Sequence, residues 1–265
     1  MIDFDYIECG DCLELIKGLP DNSVDLIVTD PPYVYKTDKG GGAFGSNKRN
    51  YHSEYISLYK ETGTTKETER LRIDANKRKH RDEIKNLSNG FNISILDELD
   101  RVMKKTNIYV WCSKAQVRKI LEYYEDKGCS IDILTWHKTN PTPTCNNTYL
   151  SDTEYCIFAR EKGVKVYGSY ATKKKYYVSP ANVADKKLYN HPTIKPLEII
   201  QNLIINSSLE NDIILDPYLG SGTTAVACVN TGRHYIGFEL NPKYYDTACK
   251  RLDEVEVNKL EELSK

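Results

Sequence analysis

Apolar runs of strand length alternate with stretches of helical periodicity along most of this chain. Residues 6–9 (Tyr-Ile-Glu-Cys) read as a strand, and Leu13, Leu15 and Ile16 mark a brief helix after Gly10-Asp11. Pro20-Asp21-Asn22-Ser23 then turns the chain into an apolar run over 24–28. Two strands joined by a helix within about 30 residues predict a βαβ unit, and so a parallel sheet. Further strands are predicted at 108–112, 131–136, 154–159, 213–216 and 235–239. Helices are predicted over 93–102, where Ile95, Leu96, Leu99 and Val102 share a face, around 117–124, through Leu197, Ile200, Leu203 and Ile204, after Gly222, and from Pro242. The fold class is α/β.

Two stretches break this rhythm. Residues 34–50 carry Gly40, Gly41, Gly42 and Gly45 and read as a loop, followed to about residue 88 by a densely charged segment that reads as a solvated helical arm. Its most basic point is Lys77-Arg78-Lys79-His80-Arg81, as readily a solvent-facing helix as a contact to DNA. Residues 160–190 place Lys173, Lys174 and Lys175 beside Tyr176 and Tyr177, and a small β-rich or irregular insertion is expected there.

Composition narrows the class. At 265 residues, 40% hydrophobic and 28% charged, the chain suits one large α/β domain with an inserted part. No apolar run approaches the ~20 residues that cross a bilayer, and the acidic start is unlike a signal peptide, so a cytoplasmic protein without a membrane partner is expected. A net charge of -1 means that any polyanion must be met by local clusters of Lys and Arg. The eight cysteines are dispersed; Cys9 and Cys12 have the spacing of a zinc knuckle but no second pair, so no metal site is expected.

The candidate chemistry begins at Thr29-Asp30-Pro31-Pro32-Tyr33. A buried strand that stops at Asp-Pro-Pro delivers a carboxylate and a ring to the sheet edge, and the prolines stiffen the turn while leaving its carbonyls free to accept. Such acceptors suit a planar ligand carrying an amino group, although an ordinary strand-ending turn would look the same. A second signal is Gly220-Ser221-Gly222-Thr223-Thr224-Ala225, between a strand and a helix, with Glu239 19 residues after Gly220. This spacing fits a dinucleotide fingerprint, and hence a nicotinamide-dependent oxidoreductase. Asp216, four residues before the first glycine, argues the other way: beside a pyrophosphate it is repulsive, whereas it favours a ligand with an ammonium group.

These two motifs, joined by His191-Pro192-Thr193-Ile194-Lys195-Pro196, resemble the beta class of amino-group DNA methyltransferases, with the catalytic motif first and the cofactor motif near the C-terminus. Gly10-Asp11-Cys12 and Leu134-Thr135-Trp136-His137-Lys138 also resemble family motifs; Tyr218 and Ile194 stand where the family often has Phe and Gln. The resemblance implies a circularly permuted Rossmann-like fold that binds S-adenosylmethionine, with a mostly parallel sheet and a small target-recognition insertion. It divides the chain into a catalytic half, 1–138, interrupted by the charged insertion at about 34–90; a stretch of sheet end and target recognition, 139–190; and a cofactor half, 191–265. It implies Asp30, Pro31, Pro32 and Tyr33 as catalytic residues acting on a flipped-out adenine. Asp11, Asp216, Tyr218, Gly220, Gly222, Thr223, Thr224, Glu239, His191, Thr193 and Lys195 become cofactor contacts. Lys173, Lys174, Lys175, Lys77 and Arg78 become candidate contacts to double-stranded DNA. Asp11 reads equally as a helix N-cap, and His191 and Lys195 as anchors of the following helix. Asp rather than Ser at position 30 favours adenine-N6 over cytosine-N4 within the family; the class often forms homodimers and takes part in restriction-modification.

Overall fold

The computed structural model describes residues 2–33, 90–141, 149–189 and 193–263. The strands are β1 (Tyr6–Cys9), β2 (Leu26–Thr29), β3 (Asn107–Cys112), β4 (Ser130–Lys138), β5 (Thr153–Arg160), β6 (Tyr176–Ser179), β7 (Ile213–Asp216) and β8 (His234–Glu239). The helices are α1 (Cys12–Leu15), extended by a 3-10 turn over Ile16–Gly18, α2 (Ile95–Val102), α3 (Lys114–Asp126), α4 (Val183–Leu188), α5 (Leu197–Ser207), α6 (Thr223–Thr231) and α7 (Pro242–Leu263). Two compact units are present: Met1–Pro31 with Phe91–Lys265, and Pro32–Gly90. Of the second, Pro32, Tyr33 and Gly90 are described; Pro32 and Tyr33 are half-exposed.

The first unit is built on one sheet of order β1-β8-β7-β2-β3-β5-β4-β6. The first five strands run parallel, β5 is antiparallel to β3 and β4, and β6 is parallel to β4. Every residue of β2, β3 and β7 is buried, as expected where helices cover both faces of a parallel sheet. Ile27, Ile108, Val110, Leu215 and Phe238 share one core with Ile95, Leu96, Leu99 and Val102 of α2 and Ile120 and Tyr124 of α3. The helix α5 packs on β2 and α6, and Tyr109 and Asn107 of β3 hydrogen-bond Ser207 at its end.

One expectation is corrected. The first two strands are parallel, but β8 and β7, from the far end of the chain, lie between them, so they form no adjacent βαβ pair. Within residues 160–190 the described chain after β5 is irregular apart from β6, which extends the sheet, and α4, capped by Asn182, whose side chain accepts from Asp185 N. The strand is hard to read from sequence because it lies at the sheet's edge, where Tyr176 and Val178 are 54% and 61% exposed.

Register gathers the candidate chemistry. The C-terminal ends of β1, β8, β7, β2, β4 and β6 and the start of β5 lie on one edge of the sheet. Among the described residues, no helix is long and apolar enough to cross a membrane.

Candidate active site

Strand β2 ends in Thr29-Asp30 and its neighbour β7 in Asp216, so sheet pairing brings together residues 187 positions apart. Thr29 Oγ1 donates to Asp216 Oδ1 at 3.0 Å, Thr224 Oγ1 donates to Oδ2 at 2.6 Å, and Tyr218 N donates to Oδ1 at 3.1 Å. The carboxyl is 4% exposed, and burial pushes its pKa up to about 7, against the pull of these donors. Asp216 is therefore the buttress beneath the glycine loop, with both oxygens engaged inside the protein.

That loop turns tightly. Gly222 is the N-cap of α6 at φ 82, a left-handed conformation suited to glycine, and a Cβ there would stand 3.1 Å from that of Ala248 on α7. Gly237 on β8 lets Leu219 close down: a Cβ there would lie 2.8 Å from the leucine methyls. Glu239 spans the loops after β7 and β8, accepting from Gly220 N at 2.8 Å and Asn241 N at 2.7 Å. Burial raises its pKa, opposed by those backbone donors. Gly10 N donates to Glu239 O at 3.0 Å, which sets exposed Asp11 beside it. Asp11 also caps α1, its Oδ1 accepting from Leu13 N at 2.9 Å. Half-buried Tyr218 packs on the core.

On the other side of Asp216 stands a chain of alternating charges. Lys195 Nζ donates to Asp30 Oδ2 and lies 3.1 Å from Glu154 Oε2; Glu154 Oε1 in turn lies 2.5 Å from Lys138 Nζ. Lys195 is 7% exposed, and its ammonium sits 5.1 Å from the centre of the Trp111 ring. Burial alone would lower its pKa, but Asp30 and Glu154 outweigh it and hold the ammonium protonated well above the ordinary lysine range. Burial would likewise raise Glu154, yet Lys195 and Lys138 keep its carboxyl at about 2. A carboxylate depressed in the folded state stabilises above its unfolded pKa, ~4.3, and loses that stabilisation as pH falls through its folded value. Glu154→Gln is therefore expected to flatten the acid limb of thermal stability between about pH 4 and pH 2, followed by circular dichroism; an unchanged limb would show that the array adds nothing there.

The structure thus unites Asp30, Lys195, Asp216, Gly220, Gly222, Thr224, Glu239 and Asp11 along one edge. Lys195, read from the sequence as a cofactor contact, is bonded to Asp30. Thr223 is buried, its hydroxyl accepting from Arg251 Nη1 at 3.0 Å. Lys173 and Lys174 are exposed, whereas the Lys175 ammonium is bonded to Asp132. Thr193 is exposed; His191, Lys77, Arg78 and the glycines at 40–45 lie outside the described residues. Two neighbours of the site escaped the sequence reading, Glu154 and Arg251, and Thr29 was read only as part of its motif. Glu154 left a faint signal, a carboxylate opening an otherwise apolar strand. Among the described residues, no group of His, Cys, Asp and Glu is placed to hold a metal ion.

Comparison with known proteins gives concordant results. The N6_N4_Mtase family model, described as DNA methylase, matches residues 24–250. Type II methyltransferase M2.LlaDCHI of Lactococcus lactis subsp. cremoris is 29% identical over 264 residues, spanning 92% of this chain and 87% of its own. Type II methyltransferase M.HinfI of Haemophilus influenzae is 29% identical over 269 residues, spanning 94% and 68%. The crystal structure of the M1.HpyAVI-SAM complex superposes with a TM-score of 0.61 at 25% identity, over 92% of this chain and 98% of that one. PvuII DNA methyltransferase, titled cytosine-N4-specific, shares the fold with a TM-score of 0.62 at 16% identity, over 94% and 86%. The family match runs through both motifs and sets aside the nicotinamide reading of the glycine loop.

Proposed function

We propose, from the premise that this chain belongs to the N6/N4 DNA methylase family, that it methylates the N6 amino group of an adenine turned out of double-stranded DNA. The family's methyl donor is S-adenosylmethionine, and the donor set along the sheet edge fits it. Glu239 offers a half-buried carboxylate to ribose hydroxyls, Asp216 a buried negative charge to an ammonium group, and exposed Asp11 an acceptor to an adenine amino group. The left-handed turn at Gly222 lets the backbone approach closely. When bound, the cofactor supplies a sulfonium methyl group.

The observation that carries the proposal is the setting of Asp30: a carboxylate at the end of β2, held by a buried ammonium and joined through Thr29 to the base of the glycine loop. An exocyclic amine is a poor nucleophile because its lone pair is delocalised into the ring. Asp30 accepting one amino hydrogen, and the Pro31 carbonyl the other, draw the nitrogen towards sp³ geometry and free that lone pair. Lys195 fixes the carboxylate for this task. The proton displaced by methylation leaves to Asp30 or to water. Tyr33 keeps the base-stacking role that family resemblance gives it. Turning the base out costs a few kcal/mol. Residues 139–190 are assigned to sequence recognition, with exposed Lys173 and Lys174 on phosphates.

The fold does not separate adenine from cytosine, since a cytosine-N4 enzyme shares it; Asp at position 30 is what favours adenine. The test is to incubate unmethylated DNA with labelled cofactor and identify the modified nucleoside. N6-methyladenine is expected, and N4-methylcytosine would overturn the choice of base.

A pH dependence follows from Asp216. Without ligand its pKa is up to about 7, so at neutral pH the carboxyl is partly protonated. A cationic ligand favours the ionised form and expels the proton. Affinity for the cofactor is therefore expected to rise as pH increases through 7, with proton release detectable by calorimetry in buffers of different ionisation enthalpy. Asp216→Asn should weaken binding and abolish this dependence; equal affinity at every pH in both proteins would remove Asp216 from the cofactor's site.

A further inference from the structure

On the β4–β6 side of the motif-bearing edge, charged side chains cluster. Lys138 closes β4, Glu154 opens β5, and Lys195 reaches between Glu154 and Asp30. The helix α4 brings Lys186 to the same corner. Backbone bonds fix that placement: Thr139 N donates to Ser179 O at 3.1 Å and Ala181 N to Asn140 Oδ1 at 2.6 Å, so the segment entering α4 is fastened to the segment leaving β4. Asp30 and Glu154 are thus engaged with Lys195 and Lys138, and Lys186 is a further ammonium group at this corner. Its side chain is half-buried and has no hydrogen-bond or carboxylate partner among the described residues. The adjacent Asp185 is taken by Asn182 Nδ2 at 2.6 Å. Burial, then the charge of Lys138, pulls the Lys186 pKa below the ordinary lysine value, with Glu154 opposing and Lys195 adding to the pull.

A half-buried cation with like charges beside it is a position that an incoming anion stabilises. We infer that Lys186, backed by Lys138, holds a backbone phosphate of the DNA strand whose target base enters at Asp30. This rests on the reading that the base leaves the duplex for that carboxylate. The carboxylate of the cofactor is the other anion at hand, and the sheet order disfavours it. The glycine loop follows β7, on one side of β2, whereas β4 lies on the other side, beyond β3 and β5. At ordinary strand spacing, β4 is roughly 14 Å from β2. The Lys186 corner therefore belongs to the methyl acceptor's side.

Steady-state methylation of unmethylated genomic DNA at several salt concentrations tests this. Lys186→Gln is expected to raise the KM for DNA roughly five- to ten-fold near 0.1 M salt and to lower the slope of log KM against log salt by about one, the signature of one lost phosphate contact. The KM for S-adenosylmethionine and kcat should stay within about twofold. Lys186→Arg, which keeps the charge, is expected to behave like the parent, and Lys186→Ser serves should the glutamine variant fail to fold. An unchanged DNA KM and salt slope would overturn the assignment, as would a raised cofactor KM with the DNA KM unaltered. A product carrying N4-methylcytosine would overturn the adenine reading and leave this comparison intact.

Discussion

Asp30→Ala is expected to lower methyl transfer by roughly a thousandfold, the scale of losing a preorganised polar group at a reacting centre, while the protein stays folded. The fold should survive because Lys195, the cation left behind, keeps Glu154 at 3.1 Å and the face of Trp111. Removing one member of a buried pair is severe when the other is stranded, at about 3–5 kcal/mol; here the ammonium is not stranded, and a smaller loss of stability is expected. Asp30→Asn is the sharper probe, since it keeps the shape but can turn an N–H towards the Lys195 ammonium. Transfer of labelled methyl groups to DNA, run beside thermal unfolding, measures both effects. Turnover within about tenfold of the parent in a folded Asp30→Ala protein would remove the carboxylate from the reaction.

Lys195→Met should be the more damaging change to the molecule as a whole. It removes the cation between Asp30 and Glu154 in a place that is 7% exposed, and the thioether answers neither carboxylate. Glu154 retains Lys138 at 2.5 Å. Asp30 loses the Lys195 ammonium, while Asp216 remains close enough to repel it. A stability loss on the order of 3–5 kcal/mol is expected, or roughly 10 °C in melting temperature for a chain of this size. Methyl transfer should fall as well, because the carboxylate is no longer fixed in place. A protein that melts normally and turns over normally would show that the array is ornamental.

The sequence made the ends of the site legible but not its middle. The TDPPY and glycine-loop motifs are contiguous, and their chemistry follows from a few neighbouring residues, so both could be read directly. The Thr29–Asp216 bond joins positions 187 apart and exists only because β2 and β7 pair. Lys195 was legible as a site residue but not as the partner of Asp30, for the same reason. Glu154 left only a faint signal, a carboxylate opening an apolar strand, and Arg251, buried in the structure, sits in a charged stretch of sequence; only packing shows that each supports a motif. The core strands and the helices α2, α5 and α7 were legible from periodicity. The edge strand β6 was not, because its Tyr and Val face solvent and blur the alternation that marks a half-buried strand.

The two reactant-bearing loops grow from β2 and β7, nearest neighbours in a sheet covered on both faces, and are cross-bolted by Thr29 and Asp216. Adjacent strands stand about 4.8 Å apart and change that spacing little. On the proposed reading, the distance between methyl donor and acceptor is then gauged by the backbone itself, as by a fixed ruler. The two loops cannot part at their roots without breaking the sheet hydrogen bonds between β2 and β7, so on the proposed reading the alignment of the reacting groups is built into the sheet.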